Sequence, residues 1–148
     1  MNKIIQVSTL LFCPVHKAFE MFTLNDSLAS WLTSIADVEP RPGGKYELFW
    51  QPKDLENNST IGCKITSIVP DKFLSFEWRS PKQYKHFANF TDPLTHVVVF
   101  FIPAGDSTEV YLIHSGWRNS AEWEEARQWQ EKAWSSAFEQ LRKKFESK

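Results

Sequence analysis

Few side chains of this 148-residue chain could ligate a metal, attack a carbonyl or carry a proton near neutral pH: His16, His86, His96 and His114, with Cys13 and Cys63. A closed zinc site needs four Cys, His or carboxylate ligands, and no such set is spaced together here. Two cysteines in apolar settings are too few for a disulfide framework and predict buried, reduced thiols. Ser115-Gly116 is not a nucleophile elbow, and Gly43-Gly44 lacks the further glycines and the Lys-Ser/Thr of a phosphate loop. Those glycines read instead as a bend leading tightly into a strand. No catalytic residue, metal or cofactor is therefore assigned. The remaining chemistry is that of an imidazole at a pocket mouth, where His96 or His114 could orient a ligand or act as a base.

Such groups matter only where the elements put them. Lys3–Phe12 is rich in β-branched and apolar residues and predicts a strand ending at Pro14. From Pro14 the spacing of Val15, Ala18, Phe19 and Phe22 is helical, and Asn25 or Asp26 caps a second short helix burying Leu28, Trp31 and Leu32. Strands follow at Lys45–Trp50, Ile61–Val69 and Lys72–Arg79, with a polar hairpin loop at Lys53–Ser59. In Lys72–Arg79, Leu74, Phe76 and Trp78 share one face. Ser80–Pro93, with two prolines and little periodicity, reads as a long loop or lid. Thr95–Ile102 and Glu109–His114 form a hairpin about Ala104–Ser107. That pairing is expected to put His96, Val98 and Phe100 on the face shared by Val110, Leu112 and His114.

The last element predicts a helix from an Asn119 cap, with Glu122 completing a capping box, to about Phe145. Trp123, Ala126, Gln130, Ala133, Trp134, Ala137, Phe138, Leu141 and Phe145 make an apolar stripe roughly 140° wide. A stripe of that length must lie on a sheet. Gln130 stands inside it, and a buried amide needs a partner or a ligand. A hydrogen bond to His96 or His114 would satisfy it within the protein. The expected fold class is α+β: a curved antiparallel sheet of about six to seven strands wrapped on a long C-terminal helix, with two short helices after the first strand. One domain is expected over residues 1–148, which suits the usual domain size.

The order and spacing of several motifs carry a resemblance. Trp31-Leu32, Pro40-Arg41-Pro42-Gly43-Gly44-Lys45-Tyr46, Gly62, Pro70, Leu74-Ser75-Phe76-Glu77-Trp78 and Thr108–Trp117 together resemble the SRPBCC or START-like superfamily, the helix-grip fold. More narrowly they resemble bacterial relatives of the C-terminal domain of the heat-shock-chaperone ATPase activator. The resemblance implies a fold that in other members serves lipid carriers, hormone receptors, cyclases and oxygenase subunits.

Composition narrows the functions. Seventeen basic against eighteen acidic residues give a net charge of −1, which argues against a nucleic-acid or anionic-membrane binder. Leu10-Leu11-Phe12-Cys13 loosely imitates a lipoprotein cleavage box, but Phe12 is too bulky for it, and no run of residues is apolar enough to span a bilayer. A cytoplasmic protein is expected. Aromatic residues are 15% of the chain, with seven Trp and twelve Phe. The leading expectation is a small hydrophobic or amphipathic ligand held between sheet and helix by Trp31, Trp78, His96, Phe100, Leu112, His114, Gln130 and Trp134. A second is a homodimer or a chaperone co-factor using an apolar outer patch at Val97, Val99 and Phe101, where Trp117, Trp123 and Trp129 also find no obvious place in one core. A third is a cyclase- or hydrolase-like enzyme with a cavity histidine as base.

Overall fold

The computed structural model describes residues 3–146, so residues 1, 2, 147 and 148 of the expected domain lie outside the described residues. β1 (Ile5–Leu11) passes through Pro14 into α1 (Val15–Thr23) and the single turn α2 (Asn25–Leu28). β2 (Ile35–Val38), β3 (Tyr46–Phe49), β4 (Ile65–Val69) and β5 (Phe73–Glu77) follow. A 3-10 turn (Lys82–Tyr84) and α3 (Lys85–Ala88) then precede β6 (His96–Ala104), β7 (Ser107–Ser115) and α4 (Ala121–Lys143). Five strands form one antiparallel sheet in the order β1-β7-β6-β5-β4, and β2 with β3 forms a second. Hydrogen bonds from Gly43 N–H to Ile65 O at 2.8 Å and from Tyr46 N–H to Cys63 O at 2.9 Å tie the second sheet to the β4 edge of the first. This is the helix-grip architecture.

Gly43 takes a left-handed φ of 77°, and a Cβ on Gly44 would collide with the Glu39 carbonyl. The bend before β3 therefore requires both glycines, as the sequence suggests.

The phase of the β6–β7 hairpin differs from expectation. The ladder closes at Ala104 against Ser107, leaving the two-residue turn Gly105-Asp106, with Gly105 at φ 65°. Opposed residues therefore differ in parity: Val97 faces His114, Val99 faces Leu112 and Phe101 faces Val110. Directly opposed side chains share a face. Val97, Val99 and Phe101 are thus core residues, while His96 and Phe100 point to the outer side of the sheet, where Phe100 is 38% exposed. An outer patch at Val97, Val99 and Phe101 does not exist.

Two smaller corrections concern the approach to α4. Its cap is Ser120, whose Oγ accepts from Trp123 N–H at 3.1 Å, in place of Asn119. The segment 80–93 is also not a bare loop, because its two short helical turns pack on α4. Tyr84 meets Trp129 edge-on at 6.3 Å and Phe87 meets Trp123 at 5.0 Å.

Of the stripe read from the sequence, α4 buries Trp123, Ala126, Gln130, Trp134, Phe138 and Leu141, while Ala133, Ala137 and Phe145 are half-buried. Beneath its middle the aromatic rings interlock. Trp134 lies 4.9 Å from Trp78, and Phe22 meets Trp31, Phe101 and Phe138 edge-on at 5.0–6.1 Å. The space between sheet and helix is filled there by side chains, so any room for a guest has to open at the flank of the helix.

Candidate functional site

Such an opening exists. A cleft of about 530 Å³ runs along one flank of α4, between Gln130, Ala133, Trp134 and Ala137 on the helix and the chain just past β3 and β5. The opposite wall holds Trp50 and Asn58 after β3, Trp78 and Arg79 after β5, and Trp31 and Leu32 after α2. Five of the seven tryptophans line it: Trp31, Trp50, Trp78, Trp129 and Trp134. They converge because each stands where a regular element ends or, for Trp129 and Trp134, on adjacent sides of one helix.

Four of these indoles have their N–H engaged within the protein. Trp31 Nε1 donates to Met21 O at 2.9 Å, Trp50 Nε1 to Leu32 O at 2.8 Å, Trp78 Nε1 to Gln130 Oε1 at 3.1 Å and Trp134 Nε1 to His114 Nδ1 at 3.1 Å. What they turn toward the cleft is aromatic surface. Trp129, 40% exposed, stands at the rim with the exposed side chains of Gln51, Gln83 and Gln140. Arg79 is the one charged residue of the lining.

Gln130 is 4% exposed, and its partner is Trp78 and neither histidine, contrary to the sequence expectation. An indole N–H only donates, so the amide oxygen must face Trp78 and the NH2 is turned the other way. His114 is fully buried. Because Trp134 donates to its Nδ1, the ring proton sits on Nε2, which donates to Thr95 Oγ1 at 2.9 Å. Burial, reinforced by the neighbouring His96, lowers its pKa to about 3, so the ring stays neutral.

Of the eight residues proposed from sequence, the structure brings Trp31, Trp78, Gln130 and Trp134 together in the cleft wall. Leu112 and His114 lie in the core beneath it. His96 and Phe100 do not join them, because they occupy the other face of the sheet, where His96 Nε2 bonds Thr66 Oγ1 at 2.7 Å. A base drawn from His96 or His114 therefore has no geometric footing: one faces away and the other has both nitrogens engaged. Trp50, Trp129 and Arg79 were not foreseen. The signal for Trp129 was present, since it sits on the helix flank away from the apolar stripe.

Among the described residues, no group of three or more His, Cys, Asp or Glu is placed to hold a metal ion. Cys13 and Cys63 are unpaired and buried, and burial raises both thiols, Cys63 to about 12. Both are therefore protonated and poor nucleophiles at neutral pH. No helix of the described residues is long and apolar enough to cross a membrane.

Residues 13–146 match the family described as Activator of Hsp90 ATPase homolog 1-like protein. The chain belongs to this AHSA1-like family. No curated protein matches the chain in sequence. Solved structures of the same fold include a Mesorhizobium loti protein, 20% identical, covering 95% of each chain with a TM-score of 0.75. The Aha1 dimer from Colwellia psychrerythraea is 16% identical over 97% of this chain and 96% of that one, with a TM-score of 0.71. An HSP90 activator from Plasmodium falciparum is 19% identical over 93% and 92%, with a TM-score of 0.68.

In this AHSA1-like chain the buried imidazole ties stability to pH. Unfolded, His114 titrates near the ordinary value of ~6.5. Folded, it resists protonation down to about 3. Between those values the unfolded chain binds the extra proton, so stability falls as pH drops, by ~1.4 kcal/mol per pH unit from this group, and levels off above ~6.5. His96, also lowered by burial, adds a contribution of the same sign. Urea unfolding of wild type and His114→Gln at a series of pH values checks this: the variant should show a shallower loss of stability below neutral pH. Equal slopes would contradict it.

Proposed function

We propose that this AHSA1-like chain is a cytoplasmic binding protein for a small amphipathic molecule with a flat apolar body, held in the cleft beside α4. The observation that carries the reading is the cleft of about 530 Å³ walled by five indoles, four of them with their N–H already engaged. That volume lies within the ~300–1,000 Å³ usual for small-molecule sites, and the mixture of aromatic wall and a few fixed polar groups is their usual make-up. The uncharged helix flank of Ala133 and Ala137 leaves room for the guest. Two unpaired buried thiols suit a reducing compartment.

A second reading, a protein-interaction module, draws on the outer face of the sheet. There Leu10, Phe100, Ile102 and Tyr111 are each 38–45% exposed; Phe100 pairs directly with Tyr111, while Leu10 and Ile102 flank Glu109 from either side. The partner this reading names is an Hsp90-type chaperone, by analogy with the Plasmodium falciparum activator. The face concerned is opposite the one that carries α4, so the two readings use separate surfaces.

Two variants separate them. Ala133→Trp fills the cleft from the helix side. It should weaken binding of anilinonaphthalene sulfonate, or of any molecule that co-purifies from the native host, by about tenfold or more with circular dichroism unchanged. Unchanged binding in that variant would place the ligand elsewhere and end the first reading. Ile102→Lys should abolish co-sedimentation with the purified chaperone of the same host. If wild type itself fails to co-sediment, the second reading falls.

A further inference from the structure

The proposed cleft has an imbalance in its hydrogen-bonding groups. Its deeper amide oxygens each already accept a hydrogen bond: Gln130 Oε1 from Trp78 Nε1 at 3.1 Å, and Asn58 Oδ1 from Lys82 N–H at 2.9 Å. The Ser59 hydroxyl gives its proton to Leu55 O at 2.6 Å. On the helix side of the cleft, what is left over is a donor. The Gln130 NH2 has no hydrogen-bond acceptor among the described residues, and unlike Arg79 Nε it is not sealed off, so in a side chain only 4% exposed that lines the cleft it is open to water or to a ligand. It cannot be exchanged for its oxygen, because flipping the amide would set NH2 against the indole N–H.

The charge is imbalanced in the same sense. Arg79 is the single ionic residue of the lining, and no carboxylate lies within ion-pair distance of it among the described residues. Its Nη1 donates to Asn89 O at 2.9 Å and its Nε is enclosed without a partner. A cleft with a positive wall and no carboxylate favours an anion and disfavours a cation.

We propose that the ligand of this cleft is a flat aromatic carboxylate, its rings against the indoles and its carboxylate oxygen accepting from the Gln130 Nε2–H in the field of Arg79. The proposal rests on the ligand-binding reading above and goes further by naming the chemical class. Trp78 is the positioning residue: by engaging Oε1 it fixes which end of the amide the ligand meets. A neutral hydrocarbon of the same shape would leave the Gln130 donor without a partner inside the cleft, and an ammonium would oppose donor against donor beside Arg79.

Three probes sharing one ring system test it by NMR titration: naphthoate, methylnaphthalene and naphthylmethylammonium. Naphthoate should bind about tenfold or more tighter than either of the others, which is the usual worth of a hydrogen bond to a charged group. Naphthoate, and not methylnaphthalene, should also shift the Gln130 side-chain amide protons downfield, a readout that needs no variant. Gln130→Glu retains an acceptor for Trp78 Nε1 and replaces the donor with oxygen. At about pH 8, with that carboxyl ionised, the order of naphthoate and naphthylmethylammonium should reverse while methylnaphthalene changes little. Equal affinities in wild type, a preference for the ammonium, or an unaltered order in folded Gln130→Glu would overturn the proposal and leave the cleft standing as a binding site. If none of the three probes binds, the cleft reading itself is overturned and this proposal goes with it.

Discussion

The hydrogen bond from Trp134 Nε1 to His114 Nδ1, at 3.1 Å, joins the middle of α4 to the central strands of the sheet, and the rest of the architecture is arranged around it. Both groups are fully enclosed, so neither can be satisfied by water if they separate, and a buried unpaired polar group costs roughly 1–3 kcal/mol. The acceptor exists only because the imidazole is neutral. That neutrality comes from burial and from Thr95, which takes the remaining ring proton at 2.9 Å. Helix, strand β7 and the chain before β6 are thereby held in a single geometry.

A second indole pairing repeats the arrangement nearer the surface. Trp78 donates to Gln130 one turn before Trp134 on the same helix, so two indole hydrogen bonds fix the rotation of α4 on the sheet. With Trp134 and Phe138 directed down into interlocked rings, the interior is closed, and the unfilled volume falls to the side where α4 presents Ala133 and Ala137. The cleft is a consequence of that rotation. It arises where large residues end and small ones begin around one helix. The same rotation explains why the lining is rich in aromatic carbon yet carries one amide of fixed orientation.

Much of this was legible in the residues. The α4 stripe, the Gly43-Gly44 bend and the order of the elements follow from periodicity and turn chemistry, which are local properties. The out-of-place amide of Gln130 could be picked out because a polar group inside an apolar stripe demands a partner, although its identity depended on a residue 52 positions away. The strand phase was not legible. β6 alternates apolar side chains on both faces, so Val97, Val99 and Phe101 compete with Val98, Phe100 and Ile102 for the core, and only the two-residue turn at Gly105-Asp106 decides between them. Misreading that parity carried His96 and Phe100 to the wrong side. Trp50 and Arg79 close the expected strands Lys45–Trp50 and Lys72–Arg79 but lie just past the ends of β3 and β5, where strand alternation no longer fixes direction.

One geometric feature governs the molecule: the contact between sheet and α4 is closed, and the accessible apolar volume lies on the helix flank. Xenon occupies apolar space without requiring hydrogen bonds, so crystals pressurised with the gas would report where that space is. Xenon density is expected in the flank cleft, beside Trp50 and Ala133. Density between the helix and the sheet instead, around Trp134 and His114, would contradict this geometry.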